Sequence, residues 1–528
     1  MADCIHELVF ERARTHPGKE ALVDQRRRVT YSTLARQLEA MQNALLAAGL
    51  ERRERVAVYL DKRIEAVVAL FGTAAAGGAF VPINPLLKTV QVGHILWDCN
   101  VRILVTSAER LKMLAPALGA CLDLHTVVYL GHAEDMPLLP GIRLVHWEEF
   151  IAQRARHTPH RCIDTDIAAI LYTSGSTGKP KGVVLSHRNL LAGAQSVAQY
   201  LENTQDDRIL ALLPLSFDYG LSQLTTAFLC GATVVLMNYL LPRDVVRIVQ
   251  DERITGLAAV PPLWMQLAQQ EWPRPCTLRY LTNSGGAMPL PVLETLRSAL
   301  PDARVFLMYG LTEAFRSTYL PPEQLDRRPD SIGRAIPNAE VMVVRPDGSL
   351  CNVNEPGELV HRGSLVSLGY WNDPDKTAER FRPAPGVENG LPFAELAVWS
   401  GDTVRMDEEG YLYFVGRRDD MIKVSGYRIS PTEIEEVLYA SGAAAEAVAF
   451  GVPHPMLGQA VVAVVTLAQN REDTPEQLLR ECRRLLPSYM EPKHIELRRT
   501  SLPRNPNGKI DRKALQADFS HLFEACLT

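Results

Sequence analysis

Through roughly its first 400 residues the chain repeats one pattern, a short run of apolar, β-branched-rich residues followed by a stretch long enough for a helix. Arg55–Leu60 (RVAVYL), Arg102–Thr106 (RILVT), Thr126–Leu130 (TVVYL), Ala168–Tyr172 (AAILY), Arg208–Leu212 (RILAL), Ala232–Leu236 (ATVVL) and Val305–Met308 (VFLM) are the clearest runs. They are apolar at nearly every position instead of every second one, which marks strands buried on both faces. Strands of that kind belong to sheets covered by crossover helices, so the fold class is α/β with several layers. The uncharged segment Ala66–Leu87 approaches the ~20 residues that span a bilayer. Gly77-Gly78, Pro82 and Pro85 break it, and it reads as a buried helix, a glycine turn and a short strand of the core, with no membrane insertion.

After about residue 333 the texture changes to hairpin-like pieces: Glu340–Arg345, the turn Pro346-Asp347-Gly348, Gly357–His361 and Gly410–Val415. The last segment reads as a strand, a helix Pro431–Ala440, strands Ala445–Phe450 and Val461–Leu467, and a helix Pro475–Leu486. A length of 528 residues requires more than one unit. The expected division is a large N-terminal body over 1–418, with a β-rich subdomain about 333–418, and a small α+β C-terminal domain over 419–528.

Charge and cysteine content narrow the function. Fifty-six Lys and Arg against 61 Asp and Glu give a net charge of −5, which offers no bulk attraction to nucleic acid or anionic lipid. Any polyanion must be held locally. The nine cysteines contain no CxxC pair, as expected of reduced thiols in a cytoplasmic protein. Glu7, Glu11, Arg12 and Arg14 run through what would be the apolar core of a secretory signal, which argues against one.

The sharpest local motif is Leu171-Tyr-Thr-Ser-Gly-Ser-Thr-Gly-Lys-Pro-Lys-Gly182, directly after a buried strand. Gly175 and Gly178 let main-chain N–H groups approach an anion, Thr173, Ser174, Ser176 and Thr177 add hydroxyls, and Lys179 and Lys181 add charge. A P-loop would need glycine at Thr173 and a hydroxyl at Pro180, so this is a different phosphate cradle. A Ser/Gly-rich surface linker has the same composition.

This loop and its downstream companions resemble the AMP-forming adenylating enzymes: acyl-CoA synthetases, luciferases and the adenylation domains of peptide synthetases. Ala75–Pro85, Thr173–Gly182, Tyr309-Gly-Leu-Thr-Glu313, Gly357-Glu-Leu359, Gly369-Tyr370, Ser400-Gly-Asp402, Gly416–Arg428 and Asn507-Gly-Lys509 match that family's motifs in order across nearly the whole chain. The resemblance implies a two-step reaction using ATP and Mg²⁺. A carboxylate attacks the α-phosphorus to give an acyl-adenylate and pyrophosphate; a thiol then displaces AMP. By the same resemblance Glu313 is the magnesium-site carboxylate, Thr312 contacts the α-phosphate, Tyr309 with Gly310 stacks on adenine, and Asp402 receives the ribose hydroxyls. Arg417 lies near ribose or phosphate, Asp419 is the hinge of a C-terminal domain that rotates between the two steps, and Lys423 and Arg428 lie on the loop it carries. Lys509 is the catalytic lysine bridging carboxylate and α-phosphate, where it neutralises charge that grows in the transition state. A capping glutamate, a turn aspartate or an exposed turn lysine are the structural alternatives.

Leu213–Gln223 (LPLSFDYGLSQ) occupies the place of the acid pocket. Asp218 there suits a substrate ammonium, as in amino- or imino-acid-activating relatives, or organises its loop. Tyr219, Ser222 and Pro261 are its neighbours, and Asn283, Ser284, Gly285, Gly286 and Ala287 resemble the wall between adenine and acyl group. The wording of LPLSFDYGLSQL, RYLTNSGGAMP and YGLTEAFRSTYLPP is most similar to exosortase A-associated AMP-forming acyl-CoA ligases and then to prolyl carrier-protein ligases. The expected partners are a small carboxylic or amino acid and, in trans, CoA or the phosphopantetheine of a carrier protein. A nucleotide-binding sensor without catalysis, or a kinase or ATPase releasing ADP, are the rival classes.

Overall fold

The computed structural model describes residues 2–132, 136–153, 156–173, 180–386, 394–417, 421–468, 471–503 and 510–524. The chain is a mixed α/β protein with a large N-terminal and a small C-terminal domain. In the first sheet the order is Arg143–His146, Thr126–Leu130, Val101–Ser107, Arg55–Tyr59, Ala79–Pro82, Ile167–Thr173, Lys181–Ser186. All pairs are parallel except the last, where the chain turns straight back. The second sheet has parallel strands Thr233–Leu236, Arg208–Ala211, Gly256–Ala259, Tyr280–Asn283 and Arg304–Tyr309 at its centre.

Alternation along the strands sets the layers, because successive side chains leave opposite faces. Val56 and Val58 join one core with Ile209 and Ala211, and between the sheets lie the helices Tyr31–Ala47, Ile64–Ala76, His187–Leu201 and Asp218–Cys230. Ala57 and Tyr59 face outward onto Thr89–Asp98 and Ala108–Leu118, whereas Leu210 and Leu212 face outward onto Pro242–Asp251, Pro261–Leu267 and Leu290–Ala299. The body is thus five layers, helix–sheet–helix–sheet–helix. The uncharged segment falls where its sequence requires: Ile64–Ala76 is buried at every position and Gly77, at φ +87°, ends it.

The β-rich segment continues the second sheet. Antiparallel strands Thr318–Leu320, Ser331–Ala335, Leu412–Arg417, Leu396–Met406, Gly357–Gly363 and Ala339–Val344 follow one another from the edge of Arg304–Tyr309. Leu396–Met406 is absent from the sequence reading because Ser400-Gly401-Asp402 looks like a turn. The strand absorbs it with Gly401 at φ +73° and a register shift beside Thr403.

The small domain has its own sheet, with Tyr427–Ile429, Ile422–Val424, Gly458–Leu467 and Ala444–His454 antiparallel in that order and His494–Arg498 parallel to Gly458–Leu467. One face carries the helices Pro431–Ala440 and Pro475–Leu485; the other packs on Leu502 and on Leu515 of the helix Arg512–Asp518. Among the described residues no helix is long and apolar enough to cross a membrane.

Candidate active site

A cavity of about 610 Å³ lies between the body and the small domain. At one end, Thr173 and Lys181 are cross-strand partners, so the connection between them starts and finishes at one point of the cavity wall. Lys181 places its amine 4.7 Å from the centre of the Tyr370 ring, and burial lowers the amine's pKa against the opposing pull of Glu313. Glu313 sits on the short turn Thr312–Ala314, which leaves the buried strand Arg304–Tyr309. Its Oε1 accepts a 2.6 Å hydrogen bond from the Tyr370 hydroxyl. Burial pushes this carboxyl up, but the Tyr370 hydroxyl, Arg428 and Arg380 together hold it below the usual carboxylate value. Arg380 donates from Nη1 to the Trp399 carbonyl at 2.9 Å; a side chain on Gly401 would strike it, with a Cβ 2.5 Å from that nitrogen.

The result is an ionised, buried carboxylate ringed by cations from both domains. Among the described residues no group of three or more His, Cys, Asp or Glu forms a metal cage. A single carboxylate is nonetheless the donor set Mg²⁺ uses when phosphates and water complete its octahedron, so Glu313 fits that ion.

Beside the cavity, but not on its wall, the Tyr309 hydroxyl donates to Asp402 Oδ2 at 2.5 Å. His361 lies parallel to the Tyr309 ring, 6.2 Å away, and burial lowers its imidazole to about 3, so it is neutral. Gly310 and Thr312 line the cavity next to Glu313.

At the other end Asp218 opens the helix Asp218–Cys230. Burial raises its pKa, opposed chiefly by Arg316 and then by the main-chain N–H of Tyr219. Asp218 is the acidic residue of the first turn and lines the cavity as well. Tyr219 also lines it and shares a 2.6 Å hydrogen bond with Thr282 Oγ1. Gly220 has no room for a side chain, since a Cβ would lie 2.0 Å from the Pro214 carbonyl oxygen. Ser284 and Gly285 form part of the wall, whereas Ser222, Asn283, Gly286, Ala287 and Pro261 do not. Asn283 acts behind it, donating to the Gly286 carbonyl at 3.0 Å.

The small domain closes the cavity with the hairpin Ile422–Val424/Tyr427–Ile429, whose turn residues Ser425 and Gly426 have φ of +50° and +84°. Lys423, Ser425, Gly426, Tyr427 and Arg428 line it. Tyr427 stacks on Tyr489 at 3.7 Å and meets Phe217 of the body edge-on at 5.1 Å. Ser174, Gly175, Ser176, Thr177, Gly178, Asp419 and Lys509 lie outside the described residues, as does the side chain of Arg417. Leu502 and Ile510, which flank the 504–509 segment, pack on the sheet face opposite Tyr427 and Tyr489.

Sequence reasoning missed Arg316 and Arg380 as cavity groups and gave Tyr370, the hydrogen-bond partner of Glu313, no role. The signal for Arg316 was present, a lone arginine in the otherwise uncharged run Ala314–Pro322 directly after Thr312-Glu313.

Comparisons with known proteins agree with this architecture. The pattern of the AMP-binding enzyme family matches residues 9–371, and that of the AMP-binding enzyme C-terminal domain matches 433–509. The chain is 31% identical to the L-proline–[L-prolyl-carrier protein] ligase of Pseudomonas fluorescens, covering 97% of this chain and 98% of that one. It is 30% identical to tyrocidine synthase 1 of Brevibacillus parabrevis across 97% of its own length, but spans only 44% of that protein. Among solved structures, o-succinylbenzoate CoA synthetase of Bacillus subtilis appears in two states, at 27% identity in both. A double mutant bound to a product analogue, OSB-NCoA, superposes with a TM-score of 0.83 over 97% of this chain and 98% of its own. The complex with the acyl-adenylate OSB-AMP gives 0.68 over 96% and 97%.

Proposed function

Because the chain belongs to the AMP-binding enzyme family, whose members form adenylates, we propose that it is a carboxylate–thiol ligase that makes an acyl- or aminoacyl-adenylate with release of pyrophosphate and then a thioester with CoA. The observation that carries this reading is the ionised Glu313 within a ring of cations at one end of a cavity that both domains complete. Mg²⁺ held there would draw charge from the phosphates. Lys181, Arg380 and Arg428 would orient them, and Thr173 with the loop it begins would cradle them by main-chain N–H groups. Asp402 and Tyr309 are proposed for ribose and adenine, with Arg417 nearby.

Lys509 is proposed to neutralise the carboxylate oxygen as it meets the phosphorus. The small domain is proposed to turn between the two steps to bring Lys509 to the phosphates, with Asp419 the proposed hinge and 1–418 and 419–528 the two moving parts. The better superposition on the product-analogue state of a CoA synthetase than on its adenylate state supports reading the present arrangement as the thiol step. A carrier protein in place of CoA is the second reading, favoured by the near full-length similarity to a prolyl-carrier protein ligase.

Acid-dependent exchange of labelled pyrophosphate into ATP tests the first step. Lys509→Ala is expected to abolish exchange while ATP still binds; exchange that persists refutes the assigned role. Release of ADP would point to a kinase or ATPase, and nucleotide binding without exchange in the wild type to a sensor. Running the acids as amino and des-amino pairs, with CoA and separately with a phosphopantetheinyl carrier protein, tests Asp218 and the acceptor. Equal turnover of both members of a pair removes the ammonium role.

A further inference from the structure

Two arginines are buried among the described residues, Arg316 at 3% exposure and Arg328 at 6%. Arg328 is neutralised in the usual way, with Asp407 at 3.2 Å and Glu409 at 2.5 Å. Arg316 has no such partner among the described residues. Its Nε makes no hydrogen bond, and its guanidinium carbon sits 4.4 Å from the centre of the Tyr219 ring, on the cavity wall. Asp218 feels its charge, yet among the described residues the two form no ion pair. A cation removed from water without a counter-charge is costly, and a site that keeps one is suited to a ligand that brings the anion.

The backbone holds Arg316 in this place by force. Phe315 adopts φ +54°, a conformation that bulky L-residues avoid. The reversal buries the Phe315 ring against Gly193, where a Cβ would lie 2.3 Å from it, and turns the next side chain into the cavity. The other cavity cations are placed differently. Among them, Lys181, Arg380 and Arg428 act on Glu313, Lys62 donates to the Leu212 carbonyl at 2.9 Å, and Lys423 sits on the small-domain hairpin. Leu213, Leu215 and Phe217 are among the apolar residues of the same cavity wall.

We propose that the acid this chain activates carries a second negative group, in the simplest case a second carboxylate, which pairs with Arg316 while the reacting carboxylate points towards Glu313. The planar guanidinium matches a carboxylate bidentately. Dicarboxylic acids and acidic amino acids share this chemistry, the latter also placing an ammonium near Asp218. The inference rests on reading the cavity as the acid site of an adenylate-forming enzyme.

The test is pyrophosphate exchange with succinate, glutarate, aspartate and glutamate, each beside its monoamide, together with calorimetric binding of the same acids to the intact protein. Diacids are expected to be preferred over their amides. Arg316→Gln should lower kcat/KM for the preferred diacid on the order of 100-fold, the loss typical of a charged hydrogen bond, while the amide changes little and KM for ATP is unchanged. Arg316→Lys should retain part of the preference, which a purely structural role would not predict. A wild type that prefers the amides overturns the proposal without any variant. So does an Arg316→Gln effect equal for every acid, or one on KM for ATP, which would assign the guanidinium to the nucleotide. Diacid binding that depends on Arg316 without exchange would uphold the anion site and refute adenylation. Exchange with neutral acids alone would do the reverse.

Discussion

Gly426 offers a way to separate the two proposed chemical steps by geometry. A Cβ built there would lie 2.7 Å from Val260 Cγ1 and 3.1 and 3.2 Å from two further Val260 atoms, across the junction between the domains. The residue also has φ +84°. Gly426→Ala therefore carries two penalties of different reach. The left-handed backbone costs about 1–2 kcal/mol, but the hairpin pays it whether or not the domains are docked, so it weakens the small domain without shifting the docking equilibrium. The clash with Val260 exists only in the docked arrangement. Overpacking of this kind costs about 1–3 kcal/mol, which displaces the equilibrium by about 5- to 150-fold.

If the docked arrangement serves the thiol step, thioester formation from a preformed adenylate, measured in single turnover, should slow by that factor. Pyrophosphate exchange, which on that reading uses the other arrangement, should be preserved or rise. Val260→Ala removes the obstructing methyls, and the double variant should recover most of the lost rate. An unchanged thioester step, or exchange that falls in parallel, refutes the argument, and a double variant as slow as Gly426→Ala shows that Val260 is not the obstacle.

Other expectations follow from the electrostatics. Tyr370→Phe removes the hydroxyl that helps hold Glu313 ionised, a charged hydrogen bond of about 1.5–3 kcal/mol. Because the folded carboxyl is held low and is proposed to act as the anion, the acid limb of the exchange profile should move to higher pH, with a larger loss at pH 5 than at pH 8. A rate loss equal at all pH values would show that Tyr370 does not act through Glu313. Away from the site, burial raises the Asp166 carboxyl, but Arg52, the Ile163 N–H and Arg53 outweigh it and lower the pKa from 3.8 to about 2. A depressed carboxyl stabilises the fold above its unfolded value and loses that contribution as pH falls through the folded one. Asp166→Asn should cost about 1–2 kcal/mol at pH 7, after screening at the exposed arginines, and the gap in melting temperature should narrow below pH 4. A constant gap would remove the charge as its cause.

The amino-acid order alone determined the layered α/β class, the helix and turn within Ala66–Leu87, and the ends of the strands from which Thr173 and Tyr309 project, but not the strand Lys181–Ser186. These are local properties, since an apolar run, a glycine or a proline constrains only its neighbours, and contiguous motifs such as Tyr309–Glu313 travel as one piece. Partners distant along the chain were decided by packing. Tyr370 reaches Glu313 from 57 residues away and Tyr309 reaches Asp402 from 93, the latter on a strand whose Ser-Gly-Asp segment looked like a turn. Arg316 has the same residue name whether it meets water, a carboxylate or an aromatic face. Only the folded body, which turns Phe315 into the core and closes the cavity with the small domain, leaves that cation buried and waiting for a charge from outside the chain.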